Sequence, residues 1–137
     1  MQHIGQRSAA LGLKDHCIYL ARDGTMRAYA RTVEFLRSAG TNPELMDGRV
    51  LSLHQVTGPH DVHYPDWEMH PEGDELLILA SGSVSVELRE DDMGRTVSVP
   101  PQAAFIVPAG IFHRLIVHTP SVLMAITPGH NTVHEKG

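Results

Sequence analysis

The residues of this sequence best suited to metal binding or proton transfer are two histidines and two glutamates on two separate segments. Glu68 and His70 are two residues apart, and in an extended strand such residues project from the same face. Glu75 follows a turn and opens the next segment, while His113 begins a strand much further along the chain. A fold that brings the two segments together would place two imidazoles and two carboxylates around one point.

This combination of side chains is typical of a metal site. Imidazole nitrogens and carboxylate oxygens match the ligand preferences of Fe(II), Mn, Ni and Zn, and these ions share so many preferences that the divalent metal stays open. The alternative for the same residues is a polar cluster satisfied by internal hydrogen bonds. For Glu68 the alternative is a solvated carboxylate, although its alternation with His70 argues against an outward position.

Short antiparallel strands in the second half of the chain could position these residues. Turn signals recur about every eight to twelve residues from residue 49 onward, which is typical of a sandwich or barrel. Residues 83–88 alternate strictly between polar and apolar side chains, as a half-buried strand does. We predict strands over 50–56, 67–70, 75–80, 83–88, 96–99, 103–107, 112–117 and 122–127.

One helix is predicted, in the N-terminal part of the chain. After a short predicted strand over 16–20, the apolar residues of 25–39 fall at helical spacing, with capping signals at both ends. The apolar face of this helix must cover either the barrel or a partner subunit. We therefore divide the chain into an N-terminal extension (1–48), a barrel (49–128) and a polar tail (129–137) that we expect to be frayed.

Length and charge limit the classes of function. The 137 residues suit one domain, and the hydrophobic share of 42% and charged share of 20% are ordinary for a globular protein. The formal net charge of −5 argues against nucleic acid or an anionic membrane as the partner. Because no apolar run reaches the roughly 20 residues of a spanning helix and the N-terminus lacks a signal-peptide layout, we expect a soluble, cytoplasmic protein.

Several other residues are interpreted as structural. The single cysteine, Cys17, lies in an apolar run and is expected to be a buried hydrophobe, and Trp67 is expected to pack rather than line a pocket. The group His60, Asp61 and His63 is interpreted as an exposed loop, with a lid over the barrel mouth as the alternative. Core candidates are Leu77, Phe105, Phe112 and Leu115, and histidines interpreted as surface or structural are His54, His118, His130 and His134.

The two segments resemble the two sequence motifs of the cupin superfamily. The first motif reads His-x-His, three or four residues, Glu, six residues, Gly; here Glu68-Met69-His70 is followed after four residues by Glu75 and after six more by Gly82. The second motif reads Pro-x-Gly-x-x-His, which the segment 108–113 matches. The resemblance covers about residues 51–127 and implies an all-β antiparallel barrel of the cupin type, a double-stranded β-helix or jelly roll.

The resemblance also implies a role for each matched residue. His70, Glu75 and His113 match three of the usual four metal ligands, while Glu68 stands where the family has its first histidine and Val117 where it often has Asn. Three alternatives follow for Glu68. It is a carboxylate ligand in a site that favours a harder cation, or it is a general base beside a three-ligand site, or the metal has been lost and the pocket binds an organic ligand.

Different functions are compatible with such a site. The first is a metal-dependent enzyme, since cupin relatives include dioxygenases, isomerases, decarboxylases and lyases that act on small polar molecules, and Glu68 would then ligate the metal or move a proton. The second is a non-catalytic module that binds a small molecule such as a sugar or organic acid, and the third is a structural oligomer with a vestigial pocket. Small cupins pair, so the resemblance also implies a homodimer, with strand 16–20 and helix 25–39 as the contact.

Overall fold

The computed structural model describes residues 9–137 and, for the backbone alone, residues 3–4. Within these residues the chain forms ten strands, one α-helix and two short 3-10 turns, at Pro43–Leu45 and Pro59–Val62. The elements are β1 (His3–Ile4), β2 (His16–Leu20), β3 (Met26–Ala30), α1 (Val33–Ser38), β4 (Arg49–Val56), β5 (Trp67–Met69), β6 (Glu75–Arg89), β7 (Arg95–Val99), β8 (Ala103–Val107), β9 (Phe112–Thr127) and β10 (Val133–Glu135). In the described part of the chain, no helix has the length and apolar character needed to cross a membrane.

The barrel is built around the two long strands β6 and β9, which pair antiparallel over nearly their whole length. β7 and β8 also pair with β6, while β4 and β5 also pair with β9. The main core consists of the buried apolar residues Leu77, Leu79, Val84, Val86, Leu88, Val99, Val107, Leu123 and Ala125. The predicted all-β antiparallel barrel is therefore confirmed, and Leu77 is confirmed as a core residue.

Two turns predicted within the barrel are instead irregularities inside continuous strands. The ranges 75–80 and 83–88 both belong to β6, and the pairing of β6 with β9 shifts register around Ser81 and Ser83. Gly82, between them, has φ of 101°, a conformation that glycine adopts readily, so the strand bulges without reversing. The ranges 112–117 and 122–127 likewise belong to one strand, β9.

The helix predicted over 25–39 is wrong in its first half. Met26–Ala30 forms β3, which pairs antiparallel with β2, and only Val33–Ser38 is helical. Thr32 caps α1, since its hydroxyl oxygen accepts a hydrogen bond from the Phe35 N–H at 3.0 Å. The helical spacing of the apolar residues is outweighed by backbone pairing with the predicted strand 16–20, which is confirmed as β2.

A second, smaller core fixes this N-terminal region. Tyr29 of β3 stacks on Phe35 of α1, with ring centroids 5.1 Å apart, and both side chains are buried. Cys17 is fully buried beside them and burial raises the pKa of its thiol, so the expected buried hydrophobe is confirmed. The rest of the small core is Tyr19 and Leu45.

The C-terminal segment is ordered against the barrel, so the prediction of a frayed tail is wrong. β10 pairs antiparallel with β5, which places His134 opposite Glu68. Arg89 of β6 also holds this segment, because its guanidinium donates two hydrogen bonds to the Glu135 carboxylate, at 2.8 and 3.1 Å. The partner strand is distant in sequence, so the local polarity of the tail could not indicate the pairing.

Candidate metal centre

The four side chains singled out in the sequence converge at one end of the barrel. Glu68 of β5 lies opposite His113 of β9, His70 directly follows β5, and Glu75 opens β6. One ligand atom from each residue lies within 4.8 Å of the others. His70, Glu75 and His113 are buried, with exposed fractions of 3%, 5% and 3%, while Glu68 is half-buried.

Hydrogen bonds between two turns hold the two motif segments together. The Gly110 N–H donates to the His70 carbonyl at 3.0 Å, and the Ala109 N–H donates to the Asp74 carboxylate at 2.8 Å. Gly110 has φ of 80°, a conformation that favours glycine. This turn therefore delivers the start of β9, and with it His113, next to His70.

Hydrogen bonds to the outer nitrogen of each histidine fix which nitrogen faces the site. His70 Nδ1 lies 2.9 Å from Thr132 Oγ1, and because the Thr132 hydroxyl donates to the Gly129 carbonyl, the His70 Nδ1–H is the donor. His113 Nδ1 lies 3.4 Å from the Ile111 carbonyl, which can only accept. Both rings therefore direct Nε2 toward the carboxylates, as metal-ligating histidines do.

The inner nitrogen of His70 lies beside two carboxylates but lacks a hydrogen bond. His70 Nε2 is 3.0 Å from Glu68 Oε1 and 3.4 Å from Glu75 Oε2. It is nevertheless buried without an aligned hydrogen-bond partner among the described residues. His113 Nε2 lies 3.1 Å from Glu75 Oε1. A cation held between these atoms would satisfy the unpartnered nitrogen, so the donor set fits a divalent metal.

The histidines and glutamates of the site shift one another's pKa values. Burial lowers the pKa of His70, but the adjacent Glu68 and Glu75 outweigh burial and raise that pKa to about 9. Burial raises the pKa of Glu75, but the imidazoles of His113 and His70 beside it outweigh burial and lower that pKa to about 2. The cluster therefore needs positive charge between its carboxylates, supplied by a proton on His70 or by a metal ion in its place.

The cluster lies at one end of a cavity of about 440 Å³, a size typical of small-molecule sites. Asp61, Val62 and His63 line the mouth of this cavity, and Asp61 and His63 stay exposed there. The segment is thus an exposed loop, as expected, and it also lies at the mouth. Trp67 lines the cavity as well, with the Arg114 guanidinium 4.1 Å from its ring centroid, so the expectation that it only packs is incomplete.

Sequence reasoning missed several polar residues of the cavity. His54 and His134, interpreted as surface or structural, both line it, and His134 Nδ1 lies 3.7 Å from Glu68 Oε2. Ser52 and His54 are two residues apart in a predicted strand and so share one face, which could have indicated that His54 belongs to a polar cluster. No signal indicated Thr132, which reaches His70 across 62 residues of sequence.

Comparisons with known proteins bear on the fold. No family model matches the chain, and no curated protein matches it. A cupin-2 domain containing protein from Shewanella frigidimarina aligns with a TM-score of 0.47 and 20% identity, over 58% of this chain and 70% of its own. A tryptophan-to-tyrosine variant of oxalate decarboxylase from Bacillus subtilis aligns with a TM-score of 0.50 and 18% identity, over 62% of this chain and 23% of its own.

A second oxalate decarboxylase structure aligns with a TM-score of 0.50 and 17% identity, over 64% of this chain and 23% of its own. Both oxalate decarboxylase alignments therefore cover a small part of the longer protein. At such identities the likeness concerns the fold alone. The two oxalate decarboxylase alignments agree with the antiparallel barrel, and the fold of this chain is of the cupin type.

Proposed function

We propose that this protein binds a divalent metal ion through Glu68, His70, Glu75 and His113 and is a metal-dependent enzyme acting on a small polar molecule in the barrel cavity. The observation that carries the proposal is the buried Nε2 of His70, which has no hydrogen-bond partner among the described residues and lies 3.0 Å from a carboxylate. A cluster closed by its own hydrogen bonds would leave no such atom.

The donor set limits the metal. Two imidazoles and two carboxylates suit Fe(II), Mn, Ni and Zn, and the second carboxylate favours the harder ions, Mn and Fe(II). The two carboxylates also offset the charge of a divalent ion, so the loaded site is neutral overall. When bound, such an ion polarises a coordinated oxygen or lowers the pKa of a coordinated water.

Glu68 is the ligand best placed to move a proton. Its side chain is 36% exposed, whereas those of His70 and Glu75 are 3% and 6% exposed. Its Oε1 faces His70 and its Oε2 lies 3.7 Å from His134 Nδ1, at the exposed side of the cavity. We propose that Glu68 ligates the metal and, in the reaction, exchanges a proton between the cavity and His134.

Elemental analysis of the untagged protein, purified without chelators, tests the metal site. We expect near-stoichiometric Fe, Mn, Ni or Zn in the wild type and loss of the metal in His70→Ala, because removing one ligand opens the site. His60→Ala is the matched control, since the His60 side chain is 81% exposed and should leave the metal content unchanged. A metal-free wild type that also takes up no added metal would reject the four-residue site.

A non-catalytic binding module is the second candidate, favoured by the carboxylate of Glu68 at the position where the cupin motif has histidine. The two candidates differ in turnover. The metal-loaded protein can be incubated with a panel of small organic acids and sugars and the mixture followed by NMR. An enzyme would convert at least one compound into a product, whereas a binding module would leave every compound unchanged. Glu68→Gln should abolish the conversion while binding of the converted compound persists.

We also propose the homodimer expected from the sequence, and the cytoplasmic location stays a prediction. Val33 of α1 and Met26 of the nearby β3 are 65% and 64% exposed, which leaves apolar surface for a second copy. Val33→Glu should convert the dimer to a monomer in size-exclusion chromatography, whereas Met93→Glu, at a position 90% exposed in the β6–β7 turn, should not. An unchanged elution volume for Val33→Glu would exclude α1 as the contact.

A further inference from the structure

A second polar cluster, formed by Arg31, His54 and the buried Ser52, borders the cavity through Arg31 and His54. Arg31 lies between β3 and α1, and its guanidinium donates to the Leu53 carbonyl at 2.6 Å and contacts His54 Nδ1 at 3.2 Å. His54 Nε2 lies 2.8 Å from Ser52 Oγ. Arg31 and His54 line the same cavity as Glu68, Glu75 and His113.

Every free polar group of this second cluster is a hydrogen-bond donor. A guanidinium only donates, so His54 Nδ1 accepts and the His54 Nε2–H donates to Ser52 Oγ. Burial, together with the adjacent Arg31, lowers the pKa of His54 and keeps the ring neutral. The Ser52 hydroxyl hydrogen and the remaining guanidinium N–H groups then have no acceptor among the described residues. This arrangement suits a negatively charged oxygen ligand.

Arg31 also supplies uncompensated positive charge to the cavity. Within residues 9–137, no aspartate or glutamate pairs with it, whereas Arg114, the other arginine of the cavity wall, pairs with Glu87 at 3.0 Å. The metal end is neutral when it is loaded, because Glu68 and Glu75 offset a divalent ion. An anion entering the cavity is therefore attracted mainly to the Arg31 end.

A short apolar floor separates the two clusters. Ser52 pairs with Ala125 of β9, and two residues further along β9 the Thr127 hydroxyl donates to Glu75 Oε2 at 2.7 Å. Two residues of a strand span about 7 Å. Ala125 and Leu77 line the cavity between the two ends. A molecule that reaches both clusters needs only a few carbon atoms between its polar ends.

We propose that Arg31, held in position by His54 and Ser52, binds the carboxylate of a short organic acid whose other end carries an oxygen that reaches the metal centre. The proposal names the substrate class of the function proposed above, and it rests on that function only for the second end of the molecule. The carboxylate end is held by side chains that are in place without a metal.

Calorimetric titration of succinate and of its neutral analogue succinamide, into metal-free and Zn²⁺-loaded protein, tests this subsite. Succinate should bind at least about tenfold more tightly than succinamide, and Arg31→Gln should weaken succinate binding about 10- to 100-fold with the metal content unchanged. Arg37→Gln, on the exposed side of α1, is the control and should bind succinate like the wild type. Wild-type affinity in Arg31→Gln, equal affinity for succinamide, or no succinate binding at millimolar concentration would overturn the proposal.

A second measurement avoids any effect of Arg31→Gln on folding. In NMR spectra of the wild-type protein, the Arg31 side chain and the His54 ring should shift on titration with succinate, and saturation without these shifts would overturn the proposal. The two proposals also fail separately. Arg31-dependent succinate binding in a protein that takes up no metal would support this subsite and reject the metal function. Stoichiometric metal without succinate binding would support the metal function and reject this subsite.

Discussion

His54 lines the cavity and His70 lies behind Glu68 and Glu75, which line its other end, and the two histidines have opposite surroundings. Both ring nitrogens of His54 have partners, Arg31 on one side and Ser52 on the other, and the pKa of His54 is lowered by burial and by Arg31. His70 has a partner only at Nδ1, and its Nε2 faces two carboxylates that raise its pKa to about 9 despite burial. A histidine count therefore cannot distinguish the two environments, and the inner nitrogen without an aligned partner is the feature that supports the proposed metal site at His70.

The same contrast extends to charge. The His70 end contains the carboxylates of Glu68 and Glu75 and therefore attracts a cation. The His54 end contains the guanidinium of Arg31 and therefore attracts an anion. Placed together in one barrel, the two ends would select a molecule that is anionic at one end and metal-ligating at the other. Changes at one end should therefore leave the other end intact.

The largest effect is expected from deleting a ligand histidine. His113→Ala should weaken metal binding more than about 100-fold, because it removes a ligand itself and not merely a residue that orients one. His54→Ala, in the same cavity, should retain the metal. Competition with a chromophoric chelator measures both affinities. Equal losses in the two variants would place the metal outside the proposed site.

The pH dependence of stability should differ between the metal-free and metal-loaded protein. Because the pKa of His70 is raised from 6.5 to about 9, its ion pair stabilises the metal-free protein fully below pH 6.5, and this contribution disappears as the pH rises through 9. The loss should be about 3 kcal/mol in the free energy of unfolding.

Urea denaturation with EDTA, compared with denaturation in excess metal, measures that loss. The metal-loaded protein should keep its stability over the same range, since the ion replaces the proton. The pKa of Glu75 is lowered from 4.5 to about 2, so the ionised carboxylate stabilises the protein above pH 4.5. This contribution should be lost only as the pH falls from 4.5 toward 2. A metal-free protein as stable at pH 9.5 as at pH 6.5 would contradict the assigned role of His70.

A smaller effect is expected from the residue that orients His70. Thr132→Val removes the hydroxyl that accepts from His70 Nδ1 and should weaken metal binding about 10- to 100-fold. Ser52→Ala makes the equivalent change beside His54 and should leave metal affinity unchanged while weakening succinate binding. Wild-type metal affinity in Thr132→Val would show that the ring needs no such support.

The smallest effect is expected from changing one ligand type for another. Glu68→His should tighten Ni²⁺ or Zn²⁺ binding, by less than the losses above, because imidazole suits these ions and restores the residue that the cupin motif has at this position. Glu72→His, at an exposed neighbouring position, is the control. Unchanged affinity in Glu68→His would show that Glu68 does not touch the metal.

The sequence predicted the barrel and the four converging residues because their signals are local. Strand alternation, turn residues and the spacing of Glu68, His70 and Glu75 can all be read within a short window. His113 could be added because the turn before it is equally distinctive. The length of β6 could not be predicted, since a glycine between two apolar runs looks the same in a bulge as in a hairpin turn. In β9 the polar residues and the proline of 118–121 look equally like a turn.

The missed residues depend on contacts between distant parts of the chain. Thr132 reaches His70 only because β10 pairs with β5, and nothing in the polar tail indicates that pairing. Arg31 falls within the predicted helix 25–39, whose helical spacing of apolar residues is overridden by the pairing of β3 with β2. The Arg31 end of the cavity could therefore be found only in the folded structure.

The most direct test of the central claim is anomalous X-ray diffraction from crystals of the metal-loaded protein, recorded at the absorption edge of the bound metal. We predict one strong peak among Glu68, His70, Glu75 and His113, about 2.0–2.3 Å from each ligand atom, with none beside His54. A fully loaded protein with its peak elsewhere, or with no peak among these four residues, would contradict the account.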